Sequence, residues 1–425
     1  MGFCFVHAAD LHLDTPFEGL GAVSGELGEK LRDASLAALD RLTDLAIRRR
    51  AAFVLLAGDI YDGPERGLRA EFRLRDAARK LFGHGIPLFA VFGNHDPLEG
   101  WGAVREWPPN VVFFGSAEVE SHAAEREGVR LATVHGISFP ERCVRENLAA
   151  RFHRTAEPGL HIGLLHANAG GVPDHDPYAP CSTEDLARAG MDYWALGHIH
   201  ARREFAAGGS LAVYPGNTQG RSFKPSELGP KGVTVVTVEG SRLRCEFEPV
   251  DAVRFAECAV DISELGDLGL LLDVLRDQAS GLSAGAEGRE TLVRAVLKGR
   301  GPVHAELRRA DRRQALLDEL RQDGAALRPP VFWAELLDAT AAAMDREAVR
   351  GRGDFAAELV GAVDRLMQDP QRLEQFARAA CEQGHVPPLR RWLEEPTAEE
   401  WRELLAAAER TALEELADRL DEEGA

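Results

Sequence analysis

The chain has little cysteine, little positive charge and no long apolar run. No stretch reaches the roughly 20 apolar residues that a membrane-spanning helix needs, so no membrane segment is expected. The opening Met-Gly-Phe-Cys-Phe-Val has no basic flank and no small-residue cleavage site, so no signal peptide is expected. Gly2 is not followed by Ser or Thr at position 6, so the myristoylation pattern fails as well. The six cysteines, Cys4, Cys143, Cys181, Cys245, Cys258 and Cys381, are scattered and form no Cys-x-x-Cys pair. That argues against a zinc ribbon and points to a reducing, cytoplasmic location. No Gly-x-x-x-x-Gly-Lys-Ser/Thr loop occurs, so any ATP use would belong to a partner chain. Lys and Arg number 50 against 69 Asp and Glu, a net charge of -19. Residues 1–250 carry 27 against 33 and residues 251–425 carry 23 against 36, so the acidity is concentrated in the C-terminal part. A general electrostatic grip on nucleic acid is not expected, because phosphate neutralisation supplies most nonspecific affinity.

What is present is an α/β pattern. A length of 425 residues suggests two or three domains. Residues 1–240 alternate short apolar runs with helical spacing. The runs are 3–6, 53–57, 88–92, 111–114, 131–134, 161–165, 193–196, 211–214 and 233–238, each bounded by Gly, Asp, Asn or Pro as buried strands are. Residues 27–50 and 68–82 read as helices between them. Strands over 253–262, 292–297 and 331–337, with helices over 268–278 and 311–321 and a loop over 280–288, read as a small α/β cap domain. Residues 341–425 read as helical, with Phe355, Leu359, Val363, Leu366 and Met367 on one face and Trp401, Leu404, Leu405, Leu413, Leu416 and Leu420 on another. Thr397 and Glu400 fit a capping box. The expected domains are 1–245, 246–340 and 341–425.

Five polar clusters each follow an apolar run directly: Asp10-Leu-His12, Gly58-Asp-Ile-Tyr-Asp62, Gly93-Asn-His-Asp96, His166 and Gly197-His-Ile-His200. In α/β sheets the carboxyl ends of strands converge where ligands bind. These clusters would therefore bring Asp10, His12, Asp59, Asn94, His166, His198 and His200 together. Imidazole donors favour Zn, Fe, Mn and similar ions, while carboxylate and amide oxygens add charge and suit Mn. Two ions need a shared anionic bridge, for which Asp59 in its Gly-flanked turn is the candidate. Such a pair activates a water and clamps an in-line phosphoryl displacement. His95, beside Asn94, would donate a proton to the leaving oxygen or stabilise the transition state, with Asp96 orienting it.

In this order the clusters resemble the calcineurin-like metallophosphoesterase superfamily. The local wording of His7–Asp14, His175–Cys181 and Tyr214–Arg221 resembles the bacterial DNA repair exonuclease branch, SbcD/YhaO type. The resemblance covers residues 1–240 well and the remainder weakly. It implies a β-sandwich flanked by helices, ahead of the small α/β cap domain and the C-terminal helices. It also implies one ion on Asp10, His12, Asp59 and His200 and a second on Asp59, Asn94, His166 and His198, both of them manganese. It further implies DNA as substrate, a homodimer, and an SbcC/Rad-fifty-like ATPase partner docked on the C-terminal part. Asp62 stands where archaeal and eukaryotic relatives carry a catalytic histidine, so their product-end polarity does not carry over.

Several residues read otherwise. His7 and His135 lie in or beside apolar runs and read as buried, hydrogen-bonded histidines rather than ligands. His175 and Asp176 in a Pro-rich loop suit either a turn or a substrate contact. Arg202, Arg203, Arg221 and Lys224 suit either a solvated surface or a phosphate grip, with Arg221 the favoured substrate-binding residue. The C-terminal apolar faces suit a local core ahead of a docking surface. The expected function is a DNA exonuclease or endonuclease of DNA repair. The alternatives are a small-molecule or nucleotide phosphoesterase of the same fold, and a non-catalytic metal-bound adaptor for an ATPase.

Overall fold

The computed structural model describes residues 2–15, 25–63, 67–99, 104–171, 177–341 and 346–369, with the short pieces 372–373, 375–376, 401–402, 404–409, 411–413 and 416 beyond them. Thr397, Glu400, Leu420, His175 and Asp176, all singled out above, lie outside the described residues.

Two six-stranded mixed sheets form the body of the first compact unit. One contains β1 (Phe3–Ala8), β2 (Val54–Ala57), β3 (Leu88–Val91), β4 (Val111–Phe113), β11 (Gly232–Glu239) and β12 (Arg242–Pro249), in the order β12-β11-β1-β2-β3-β4. The other contains β5 (Glu120–Arg126), β6 (Val129–Gly136), β7 (Leu160–His166), β8 (Tyr193–Gly197), β9 (Arg203–Ala207) and β10 (Ser210–Tyr214), in the order β5-β6-β7-β8-β10-β9. Their facing sides share a core of Phe5, Phe53, Phe89, Val91, Val134, Ile162, Leu164, Tyr193 and Val213. The outer side of the first sheet is covered by α1 (Gly25–Arg48) and α2 (Leu68–Phe82), which bury Leu36, Leu39, Leu42, Leu74, Ala78 and Leu81 at helical spacing. The outer side of the second sheet is covered by α3 (Thr183–Arg188) and the turn at Leu148–Arg151, through Leu148, Phe152, Leu186 and Trp194. The β-sandwich flanked by helices is present.

β1, β2, β3 and β4 pair in parallel, as do β6, β7 and β8. Parallel pairing sends the carboxyl ends of β1, β2 and β3 to one edge of their sheet, and those of β7 and β8 to one edge of theirs. The polar clusters begin at those ends.

A third sheet follows in the order β13 (Val253–Asp261), β14 (Glu290–Arg300), β15 (Val331–Ala341). It carries α4 (Leu268–Gly285), α5 (Val303–Leu307) and α6 (Ala310–Ala326) in its connections. The loop expected over 280–288 is replaced over most of its length by helix. Leu271, Leu275, Ala279, Ser283 and Ala286 are buried at helical spacing, and the Ser283 hydroxyl donates to the Pro329 carbonyl at 2.6 Å. The two compact units divide the chain within this sheet's strands, after Cys258, Ala295 and Glu335, and within α4 and α6, after Leu275 and Asp318.

In the second unit, α7 (Arg346–Arg350) and α8 (Phe355–Gln368) contribute Val349, Val360 and Val363 to two small cores. Leu413 joins the first of these cores, and Leu373 and Leu405 join the second. The described part of the C-terminal apolar faces therefore packs on itself, although Phe355 and Leu404 stay exposed. No helix among the described residues is long and apolar enough to cross a membrane.

Candidate metal centre

All seven candidate ligands sit at or just past the end of a parallel strand. Asp10 and His12 follow β1, Asp59 follows β2, Asn94 follows β3, His166 ends β7, and His198 and His200 follow β8. The chain turns sharply at each place. Asp10, His12, Asp59 and His198 all have positive φ, of 51°, 43°, 48° and 106°. This conformation costs a non-glycine residue on the order of 1–2 kcal/mol and persists only where the surroundings impose it. The turns are tied together by Asp10 N–H donating to Gly58 O at 3.1 Å and His12 N–H donating to Asp59 O at 3.0 Å. Two glycines make room. A Cβ on Gly197 would lie 1.9 Å from Ala57 O, and one on Gly58, at φ 87°, would lie 2.5 Å from His166 Nδ1.

The side chains form overlapping groups of donors. Asp10, His12 and His200 each bring a ligand atom within 4.8 Å of the others, and so do Asp10, Asp59 and His166. Asp59 Oδ2 lies 3.9 Å from His12 Nε2 and 3.3 Å from His166 Nε2, which places it between the two imidazoles. Asn94 Oδ1 is 2.9 Å from His166 Nε2. His198 donates its backbone N–H to Asp10 at 3.0 Å, and its ring centroid lies 5.3 Å from that of His166.

Hydrogen bonding fixes the tautomers, and with them the fit to a cation. His12 Nδ1 meets Asp62 Oδ1 at 2.9 Å and His200 Nδ1 meets Glu227 Oε1 at 2.6 Å. Carboxylates only accept, so both Nδ1 atoms carry protons, and in the neutral ring that leaves Nε2 with the lone pair. Those two Nε2 atoms are 3.2 Å apart. Two facing lone pairs repel unless a cation, a proton or a metal, lies with them. His166 repeats the arrangement: Nδ1 donates to Ala57 O at 2.9 Å, and Nε2 faces the two acceptors Asn94 Oδ1 and Asp59 Oδ2. Acceptors that converge without donors, with oriented second nitrogens behind them, are the donor chemistry of a divalent metal site.

Without the ion, protons take up part of the charge. Burial pushes the His166 imidazole down, but the Asp59 carboxylate outweighs it and lifts the ring to about 9. Burial pushes Asp59 up, but His166 and His12 hold it well below the usual carboxylate range. Burial and the Arg221 charge hold His12 down to about 3 against the pull of Asp62.

His95 adjoins these groups. Its Nδ1 is 2.9 Å from Asp62 Oδ1 and its backbone N–H donates to Asp59 at 2.9 Å. Burial opposes its protonation, but Asp62 and Asp59 raise it above the usual histidine range. The expectation that Asp96 orients His95 is not met. Asp96 is buried and accepts from the backbone N–H groups of Gly93, Ile60 and Tyr61, at 2.8, 2.8 and 3.2 Å. It braces the two turns, and Asp62 holds the imidazole. Arg221 Nη1 lies 3.4 Å from that same Asp62 oxygen. Arg202 pairs with Glu204, and Arg203 lies over the Phe205 ring, so neighbours engage both. His7 and His135 are buried and bonded to Tyr193 and to His161 and Ser121, apart from this cluster.

Sequence reasoning missed Glu227. It lies in the turn Pro225–Glu227, far along the chain from His200, and no spacing marked it.

A two-sheet α/β sandwich with clustered imidazoles and carboxylates at its strand ends defines a metal-dependent hydrolase class. The calcineurin-like phosphoesterase model matches residues 4–202, and the model for the middle domain of the metallophosphoesterase YhaO matches residues 255–342. The chain is 39% identical to the metallophosphoesterase YhaO of Bacillus subtilis over 70% of its own length and 72% of that protein. It belongs to the calcineurin-like metallophosphoesterase family. It is also 25% identical to the DNA double-strand break repair protein Mre11 of Aeropyrum pernix, over 70% of this chain and 74% of that one. Among solved structures, a dimetal phosphatase from Danio rerio aligns with 58% of this chain and 96% of its own, at 10% identity and a TM-score of 0.34.

Proposed function

We propose that this protein is a manganese-dependent DNA exonuclease or endonuclease of DNA repair, cleaving phosphodiester bonds at DNA ends or in single strands. The observation that carries the reading is the convergence of two donor sets on Asp59, with His95 held beside them by Asp62. Similarity to a relative named as a DNA double-strand break repair protein supports DNA as the substrate class.

Asp10, His12, Asp59 and His200 would hold one ion, and Asp59, Asn94, His166 and His198 the other. Bound divalent ions supply a water acidified enough to act as a nucleophile at neutral pH, and they neutralise charge on the phosphoryl oxygens. His95 acts as the general acid. Its Nδ1 is fixed on Asp62, so the proton available to a leaving oxygen is the one on Nε2. Arg221 binds a phosphate flanking the scissile bond. We read 1–245 as the nuclease domain, 246–340 as its cap and 341–425 as a helical region for an SbcC/Rad-fifty-like ATPase partner. We place the protein in the cytoplasm, where it would act as a dimer.

The test is manganese-dependent cleavage of end-labelled single- and double-stranded DNA. Wild-type protein should cleave, Asp59→Ala should lose both cleavage and bound metal, and His95→Asn should lose roughly 10²–10⁴-fold in rate while keeping its metal. The labelled end that survives gives the polarity. Turnover of a chromogenic phosphomonoester far above that of DNA would reject the nuclease reading in favour of a small substrate.

A further inference from the structure

Glu227 is buried, with 4% of its surface exposed, and both of its carboxylate oxygens are engaged. Oε1 accepts from His200 Nδ1 at 2.6 Å. Oε2 accepts from Asn217 Nδ2 at 2.7 Å and from the Arg221 backbone N–H at 3.0 Å. One side chain thus touches a candidate metal ligand on one side and, on the other, the loop that presents Arg221. The Asn217 amide is anchored in its orientation by a second bond, from Nδ2 to Gln219 O at 2.8 Å. The same loop is tied to the start of β13, where Gln219 Nε2 donates to Val253 O at 2.6 Å and Gln219 Oε1 accepts from Ala252 N–H at 2.8 Å.

We propose that Glu227 is a positioning residue that holds His200 in the Nδ1–H tautomer, with the Nε2 lone pair turned to the metal, while the same carboxylate fixes the Arg221 loop. This rests on the two-ion reading of the site. A carboxylate behind a metal-bound histidine sets the ring's tautomer and raises its basicity, and its loss typically costs 10–100-fold in metal affinity.

Glu227→Gln tests the tautomer specifically. The loop side offers two donors, one of them a backbone N–H that cannot flip, so the new amide turns its oxygen there. Its NH₂ group then faces His200 Nδ1 and donates to it, which moves the ring proton to Nε2 and removes that nitrogen as a ligand. The loop bonds survive the exchange. In a manganese titration followed by calorimetry and electron paramagnetic resonance, E227Q should bind one of two ions roughly 10–100-fold more weakly. Its melting temperature in chelator should match wild type. His200→Asn should weaken the same ion, and the double variant should lose no more than His200→Asn alone. Wild-type affinity for both ions in E227Q, or additive losses in the double variant, would overturn the assignment. A second measurement needs no altered Glu227. The ¹⁵N shifts of the metal-free wild-type chain, with His200 assigned by its loss in His200→Asn, should show protonated Nδ1. A ring protonated at Nε2 with Nδ1 bare would also overturn the assignment. Wild-type protein that binds fewer than two ions would sink the two-ion reading, and the nitrogen shifts would still decide this one.

Discussion

Asp62 takes the role that a place beside His95 suggests for Asp96. Asp96 follows His95 directly, and adjacency made it the obvious partner for the ring. Adjacent residues in a tight turn point apart, however, and Asp96 turns inward to accept three backbone N–H groups. Asp62 comes from the turn after β2 and reaches both His12 and His95. The candidate ligands were legible because each sits at a strand end. The residues behind them, Glu227 and Asp62, were not, because their roles depend on contacts 27 to 50 residues apart along the chain. Asp96→Ala should therefore act on stability first. It leaves three buried amides without their acceptor, at a cost on the order of 3 kcal/mol or more. Denaturant unfolding of the metal-free protein should show the loss, whereas His95→Asn, whose ring bonds the partly exposed Asp62 carboxylate, should lose much less. An Asp96→Ala chain of unchanged stability would mean that the carboxylate is not holding the turns.

At the scale of elements, the strands the sequence concealed are β5, β9 and β12. Each lies at an edge of its sheet, with one side unpaired and many polar, half-exposed residues. An edge strand needs no apolar run and is protected from aggregation by lacking one, so periodicity does not reveal these three, although the edge strand β4 carries such a run and was read. The interior strands were visible because burial on both faces demands continuous apolar residues. One interior polar residue has a measurable consequence. His7 in β1 is fully buried, and its Nδ1 meets the Tyr193 hydroxyl of β8 at 2.9 Å, joining the two sheets. Burial pushes its imidazole down to about 3 from an ordinary 6.5. Between these values the unfolded chain binds a proton that the folded chain refuses, so stability falls as pH drops from 6.5 toward 3. One such group contributes about 1.4 kcal/mol per pH unit within the window. Denaturant unfolding from pH 7 to 4.5 should show a shallower decline in His7→Asn than in wild type. Equal slopes would show that the buried imidazole is not what makes the fold acid-sensitive.

For the whole molecule the decisive quantity is charge. The net charge is -19, and residues 251–425 carry 36 acidic against 23 basic side chains. Duplex DNA carries one negative charge for about every 1.7 Å of helix axis. A chain this acidic meets it with net repulsion, softened over about 10 Å at 0.1 M salt. Among the described residues, Arg221 is a basic group at the candidate centre, and its guanidinium is already shared with Asp62. Without metal, we expect the centre to neutralise about one or two phosphates. The slope of log affinity against log salt should then be about −1 to −2 for duplex DNA, at roughly 0.9 per phosphate contacted. Fluorescence anisotropy with labelled duplex, in chelator to prevent cleavage, between 50 and 200 mM salt would measure it. A shallow slope with weak binding would fit the proposal that bound metal and a partner chain supply the DNA grip. A slope near −5 with tight binding would mean that this chain carries a basic DNA-binding surface of its own, and the argument for a DNA-gripping partner would fail.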